Sequence, residues 1–148
     1  MTNINLGTDV KVTVMSNAVA AGTSDVEPTT IDMQDFESVM FIVTFGAIVA
    51  GAATTVKAQQ SAASGSGEAD LLGTSQTVAD DDDNQAFVID LVRPGKRYVR
   101  PVVTRATQNS TVESIIAIQY NTRKSPTTQD ATTVGGIETH VSPAEGTA

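Results

Sequence analysis

The sequence predicts an all-β protein, a jelly-roll-like β-sandwich or barrel of about seven or eight short antiparallel strands with extended N- and C-terminal arms. Three observations carry that expectation. Apolar residues recur at every second position in several short segments, turn-forming residues separate those segments, and the apolar residues are mainly Val, Ile and Ala, with four Phe, two Tyr and no Trp. Such a composition suits strands and thin layers better than a helical bundle, and no amphipathic helix longer than two turns is evident. At 148 residues the chain is one domain's worth, large enough to hide a hydrophobic core. The expected division is an N-terminal arm over 1–8, a sandwich over 9–121 and a C-terminal arm or flexible tail over 122–148.

From Asp9 the run Val10-Lys11-Val12-Thr13-Val14 alternates with period two, which predicts a half-buried first strand. Residues 21–30 are rich in turn formers and read as a loop, and Ile31-Asp32-Met33 fits a short edge strand. In Phe36 to Phe45, Val39, Phe41, Val43 and Phe45 share one face while Met40, Ile42 and Thr44 share the other. Both faces are apolar, so one should meet the core and the other a second layer or a neighbouring subunit. The apolar run Val39 to Ala53 is fifteen residues long, shorter than the roughly 20 a membrane helix needs, and a buried strand is expected instead. Gly46 and Gly51 mark a bend, Thr54 to Gln60 resumes the two-residue rhythm, and 36–60 together predict a hairpin.

Residues 61–69 form a Ser/Gly/Ala-rich connection, and Leu71 to Val78 add a short element. A second hairpin is expected where Phe87 to Val92 is followed by Arg93-Pro94-Gly95-Lys96 and then Arg97 to Val103. Pro101 in its second arm argues for an edge or a bulge, because proline cannot donate to a ladder. The last strand is Thr111 to Tyr120, with Ile116, Ile118 and Tyr120 on one face and Ile115 on the other. Beyond Asn121 only Val134, Ile137 and Val141 are sizeable apolar side chains. Burial within the domain is not expected to offset the ordering entropy of that segment.

Charge is segregated along the chain. Arg93, Lys96, Arg97, Arg100 and Arg105 fall within thirteen positions free of acids, while the first 92 residues carry two lysines against thirteen acids, and the net charge is −8. Such a pattern suits a protein that binds surfaces, including copies of itself. Phosphate binding by the five cations with Tyr98 stacking would be a nucleic-acid reading, but the overall charge opposes it and one aromatic is interleaved. Bidentate pairing of these cations with carboxylates of a protein partner fits better.

Catalytic and metal chemistry find little support in the residues. The chain has no cysteine and one histidine, His140, in the low-complexity tail, where no rigid scaffold would orient a catalytic base. Asp80-Asp81-Asp82-Asp83 supplies oxygens for calcium but lacks the ligand alternation, glycine and terminal glutamate of an EF-hand loop. It reads as a solvated turn, or as an acidic patch complementary to arginines. Gly65-Ser66-Gly67 is no phosphate loop, since Glu68 and Asp70 follow where a lysine and a helix are needed. A hydrolase built on paired carboxylates would need a carboxyl with a raised pKa, and the acids sit mainly in polar turns. Met1 precedes Thr2-Asn3-Ile4-Asn5, which does not resemble a secretory signal. The expectation is a non-enzymatic protein with no cofactor, no metal, no nucleic-acid partner and no membrane.

The stretch from Phe36 to Lys124 resembles a group of small virion proteins of tailed bacteriophages, the capsid cement or decoration proteins of jelly-roll fold. The similarity lies in Glu37 to Ile48, Lys57-Ala58-Gln59-Gln60, Asp70-Leu71-Leu72-Gly73-Thr74, Val88 to Pro94, Arg97-Tyr98-Val99-Arg100 and Ala117-Ile118-Gln119-Tyr120. These are packing and turn motifs with no catalytic component. The resemblance implies a protein assembled in the host cytoplasm onto the outer surface of the virion capsid. There it would bridge major capsid protein subunits and associate with its own copies as a homodimer or homotrimer. Partner-binding residues would then be Arg93, Lys96, Arg97, Arg100 and Arg105, with Asp80, Asp81, Asp82 and Asp83 as the complementary patch, and Met40, Ile42 and Tyr98 at the oligomer interface. A carbohydrate- or receptor-binding β-module on the virion surface is the alternative.

Overall fold

A computed structural model describes residues 5–147. Among them ten strands form two antiparallel sheets: β1 (Lys11–Ser16), β2 (Val19–Gly22), β3 (Ile31–Asp32), β4 (Phe36–Ile48), β5 (Ala53–Ser61), β6 (Ala69–Asp70), β7 (Gln76–Val78), β8 (Ala86–Val92), β9 (Tyr98–Ala106) and β10 (Ser110–Thr122). The first sheet runs β1-β10-β4-β8, with β2 continuing the β1 edge along β10. The second runs β3-β9-β5-β6, with β7 continuing the β6 edge along β5. Because each broken edge counts once, the strands fill eight rows, four to a sheet. The chain passes from the β1/β2 edge to β3 in the second sheet, to β4 in the first, to β5 and its neighbours β6 and β7 in the second. It then returns to β8 in the first, crosses to β9 and ends on β10 in the first. That order is the double Greek key of a jelly roll.

This topology corrects both hairpin expectations. β4 and β5 do not pair, and neither do β8 and β9, since each pair is split between the two sheets. Strand, turn, strand is the local pattern of a hairpin and of a corner between sheets alike, and the backbone at the turns decides. Arg93 has φ +54 and Gly51 has φ +88, which turn the chain out of the sheet it is leaving. Pro101 sits in an interior row, where β9 is flanked by β5 and β3, so its edge assignment is also corrected. A proline is tolerated there because β3 is short and its ladder on β9 is confined to Val99 and Tyr98, leaving no partner for a donor at 101 on that side.

Alternation along β4 and β10 builds the core. Val39, Phe41, Val43 and Phe45 are buried, facing Val56 and Ala58 of β5, Val99 and Val103 of β9, Ile89 of β8, and Val112, Ile115 and Ala117 of β10. Each fully buried aliphatic or aromatic side chain of this kind contributes about 1.5–3 kcal/mol. Gln119 is buried too, and it is satisfied by donating from Nε2 to the Asp32 carbonyl at 2.8 Å. Among the described residues no helix is long and apolar enough to cross a membrane, and the Val39 to Ala53 run is the body of β4 and the turn into β5.

The termini differ from free arms. Residues 1–4 of the expected N-terminal arm lie outside the described residues, and Leu6–Asp9 form one helical turn, α1, capped by the Asn5 side chain on the Gly7 amide. The segment after β10 lies against this turn and the start of β1. Thr127 Oγ1 and Gln129 Nε2 both donate to the Val10 carbonyl at 2.7 Å, and Gln129 Oε1 accepts from the Val12 amide at 2.9 Å. Hydrogen bonds to an open strand edge, and not apolar burial, hold residues 125–130 in place.

Candidate partner-binding surface

The five clustered cations have three different environments. Arg105 is buried, donating from Nε to the Ser24 carbonyl at 2.6 Å and from Nη1 to the carbonyls of Ala20 at 3.0 Å and Ser110 at 2.7 Å. A Cβ at Gly22 would lie 3.3 Å from its guanidinium, so the glycine leaves room for it. Arg105 therefore fastens the β2–β3 loop and the start of β10, and its assignment to partner binding is corrected. Strand parity carried the signal, because Arg105 lies on the same side of β9 as Val99, Pro101 and Val103.

Arg97 and Arg100 are exposed in part but engaged. Arg97 forms a fork with Asp32, Nε to Oδ1 at 2.8 Å and Nη2 to Oδ2 at 2.7 Å, and its carbon Cζ lies 5.3 Å from the Tyr98 ring centroid. The Arg97 hydrogen bonds hold the Asp32 carboxyl below the usual carboxylate range. Arg100 donates to Gln59 Oε1 at 2.9 Å and sits 3.6 Å from Glu27. Arg93 and Lys96 stand on the β8–β9 corner. Arg93 is 80 % exposed with Glu37 at 3.9 Å, a distance that confers little attraction in water.

These residues frame a depression of about 470 Å³ at one end of the sandwich, a volume in the range of small-ligand pockets. Its rim carries Arg93, Lys96, Arg97 and Arg123 against the single acid Glu37, and buried Met33 and Phe36 contribute to its lining. Arg123 was not among the expected site residues, because it follows the last strand and reads as tail. Its amide donates to the Asp35 carbonyl at 2.9 Å, which ties it to the same end.

The acidic run occupies the opposite end. Asp83 Oδ1 accepts from the Ile48 amide at 2.6 Å, Asp80 Oδ2 from the Gly51 amide at 2.6 Å, and Asp82 Oδ2 from the Ala79 amide at 2.9 Å. Three of the four carboxylates thus cap the turns around β4, β5 and β7 while Asp81 points no bond inward among the described residues. Among the described residues none of the four forms an ion pair with a cation. Asp83 and Arg93 are ten residues apart in the chain and flank β8, so the basic and acidic ends stand roughly 30 Å apart at the rise of a strand.

The outer face of the first sheet is a third feature. Register places Val12 beside Ile118 and Ile118 beside Met40 in one line, and Val14, Ile116, Ile42 and Val88 in the next. Val12, Val14, Met40, Ile42, Ile116 and Ile118 are half-buried there, and Val88 and Val92 on β8 are exposed. The one carboxylate in these two lines, Asp90, accepts from the Tyr120 hydroxyl at 2.5 Å. Burial, followed by the bond to Asp90, raises the Tyr120 pKa. Met40 and Ile42 lie here as expected, whereas Tyr98 flanks the buried Val99 on the outer face of the second sheet. Tyr98 and the Met40/Ile42 pair point to opposite sides of the sandwich, so the three residues expected at one oligomer interface do not share a face.

Outside these features, His140 is exposed and bonded to Glu138 at 2.9 Å, and among the described residues no group of three or more His, Cys, Asp or Glu is arranged to hold a metal ion. In comparisons with known proteins, no family model matches the chain and no curated protein is significantly similar to it.

Proposed function

We propose that this chain is a structural protein of a virus particle, a cement protein that lies on the outer surface of a phage capsid and bridges major capsid protein subunits. The observation that carries the reading is the apolar outer face of the first sheet, half-buried at Met40, Ile42, Ile116 and Ile118 and exposed at Val88 and Val92. With β4 and β10 roughly 40 Å long, shorter rows beside them and a spacing of about 4.8 Å, the whole sheet face offers on the order of 600 Å², approaching the ~800 Å² per partner of a specific interface. A face of that size and composition belongs against another protein surface. Self-association through this face, as a dimer or trimer, would cover Met40, Ile42, Ile116 and Ile118 and leave the charged ends free to grip the shell. The similarity of the central strand and basic segment to cement proteins supplies the capsid as the surface.

The test is cosedimentation with assembled capsids, followed by heating of the decorated particles. The expected outcome is saturable binding and a higher temperature of capsid disruption. Glycan binding with no capsid affinity would replace this reading with a receptor-binding module.

A further inference from the structure

The two charged ends complement each other, but within one chain they stand roughly 30 Å apart at the rise of a strand and cannot meet. We propose that the basic depression receives the acidic end of a second copy, so that molecules associate head to tail. This rests on the reading of the protein as a surface binder and adds a named occupant to its basic site.

Three observations support the fit. The rim cations Arg93, Lys96 and Arg123 have no bidentate carboxylate partner in their own chain, and neither does any of Asp80 to Asp83 have a cation. Three of those aspartates are already fixed by backbone amides through one oxygen each, so their remaining oxygens are presented by a loop whose ordering cost is met before binding. Beside the acidic loop, the β4–β5 turn carries Val49, 46 % exposed, which suits the Met33 and Phe36 side of the depression. A net charge of −8 does not forbid such contact, since screening at physiological salt limits charge interactions to about 8 Å. At that range the patches that touch decide.

Head-to-tail contact uses two different surfaces, so it propagates into a chain or closes as a ring. It differs in this from pairing through the apolar sheet face, and salt separates the two: screening weakens the polar contact and leaves the apolar one intact or stronger.

The experiment pairs two variants, both carrying Ile42→Glu to disable the apolar face. One reverses the basic end (Arg93→Glu with Lys96→Glu), and the other halves the charge of the acidic end by placing a cation at the aspartate with no backbone role (Asp81→Lys). Sedimentation velocity is run on each alone and on the mixture at low and high salt, with melting curves to verify folding. The I42E protein should associate at low salt and dissociate at high salt. Each double-ended variant alone should lose at least tenfold in association constant, and the mixture should regain one contact per pair and stop at a dimer. Monomeric I42E protein at low salt, or variants that associate as strongly as their parent, would overturn the proposal. Capsid binding by the unaltered protein, measured alongside, would show that the cement reading survives the loss.

Discussion

Arg105 and Arg93 are twelve positions apart in sequence and opposite in physical role. Arg105 donates to three backbone carbonyls in a buried site, so Arg105→Met would leave those acceptors unpaired. At about 1–3 kcal/mol for each buried group left unsatisfied, partly relieved by relaxation, the loss should be about 3 kcal/mol. For a chain of this size that lowers Tm by about 6–12 °C, measurable by calorimetry. Arg93→Ala, at an exposed corner, should change stability by less than about 0.5 kcal/mol and act on partner binding alone. Both residues belong to one basic cluster in the sequence, and charge alone does not separate them. Strand parity from Val99 separates Arg105, because its side chain leaves β9 on the inward side and the β2–β3 loop and the start of β10 close over it.

At the scale of elements, β3 depends on a surface pair. It is two residues long and pairs with Val99 and Tyr98, with the Arg97–Asp32 fork beside it. Hydrogen bonding to Arg97 depresses the Asp32 pKa in the folded chain. The stabilisation is therefore complete above the ordinary Asp value of about 3.9 and is lost as pH falls through the lower folded value. Solvent at this exposed pair screens the effect and keeps it modest. Amide resonances of Ile31 to Met33 should shift in acid before those of β4 do, and Arg97→Gln should abolish that early step. The same scale shows what was legible in the sequence. Alternation from Val39 to Phe45 marked the two faces of β4, and Ile115 was correctly set against Ile116 and Ile118. Pairing partners were not legible, because a four-residue turn encodes a change of direction and says nothing about whether the next strand stays in the sheet. Arg93, a non-glycine residue with φ +54, is where that choice is made.

For the whole molecule, the two-sided character of β4 was readable from Met40 and Ile42, yet the extent of the outer face was not. It takes the register of β1, β10, β4 and β8 to bring Val12, Ile118 and Met40 into line with Val14, Ile116, Ile42 and Val88. The separation of basic and acidic ends was likewise hidden, since residues 80–83 and 93–97 are close in sequence and only the length of β8 carries them apart. Ile42→Glu should abolish self-association through the sheet and lower stability by about 1–2 kcal/mol, because half-buried Ile42 gives up its apolar contact with Ile116 and Val88. Light scattering and a melting curve on one sample check both halves. At the margin of that face, the β1 edge is closed by Gln129, whose carboxamide takes the Val12 amide and gives to the Val10 carbonyl in the manner of a peptide unit of an adjoining strand. A single side chain thus serves as a decoy for a neighbour's backbone. Were a protease to sever the polypeptide just past Lys124, that decoy would be released, and particles designed to meet by their faces would begin to zip along their margins into fibres.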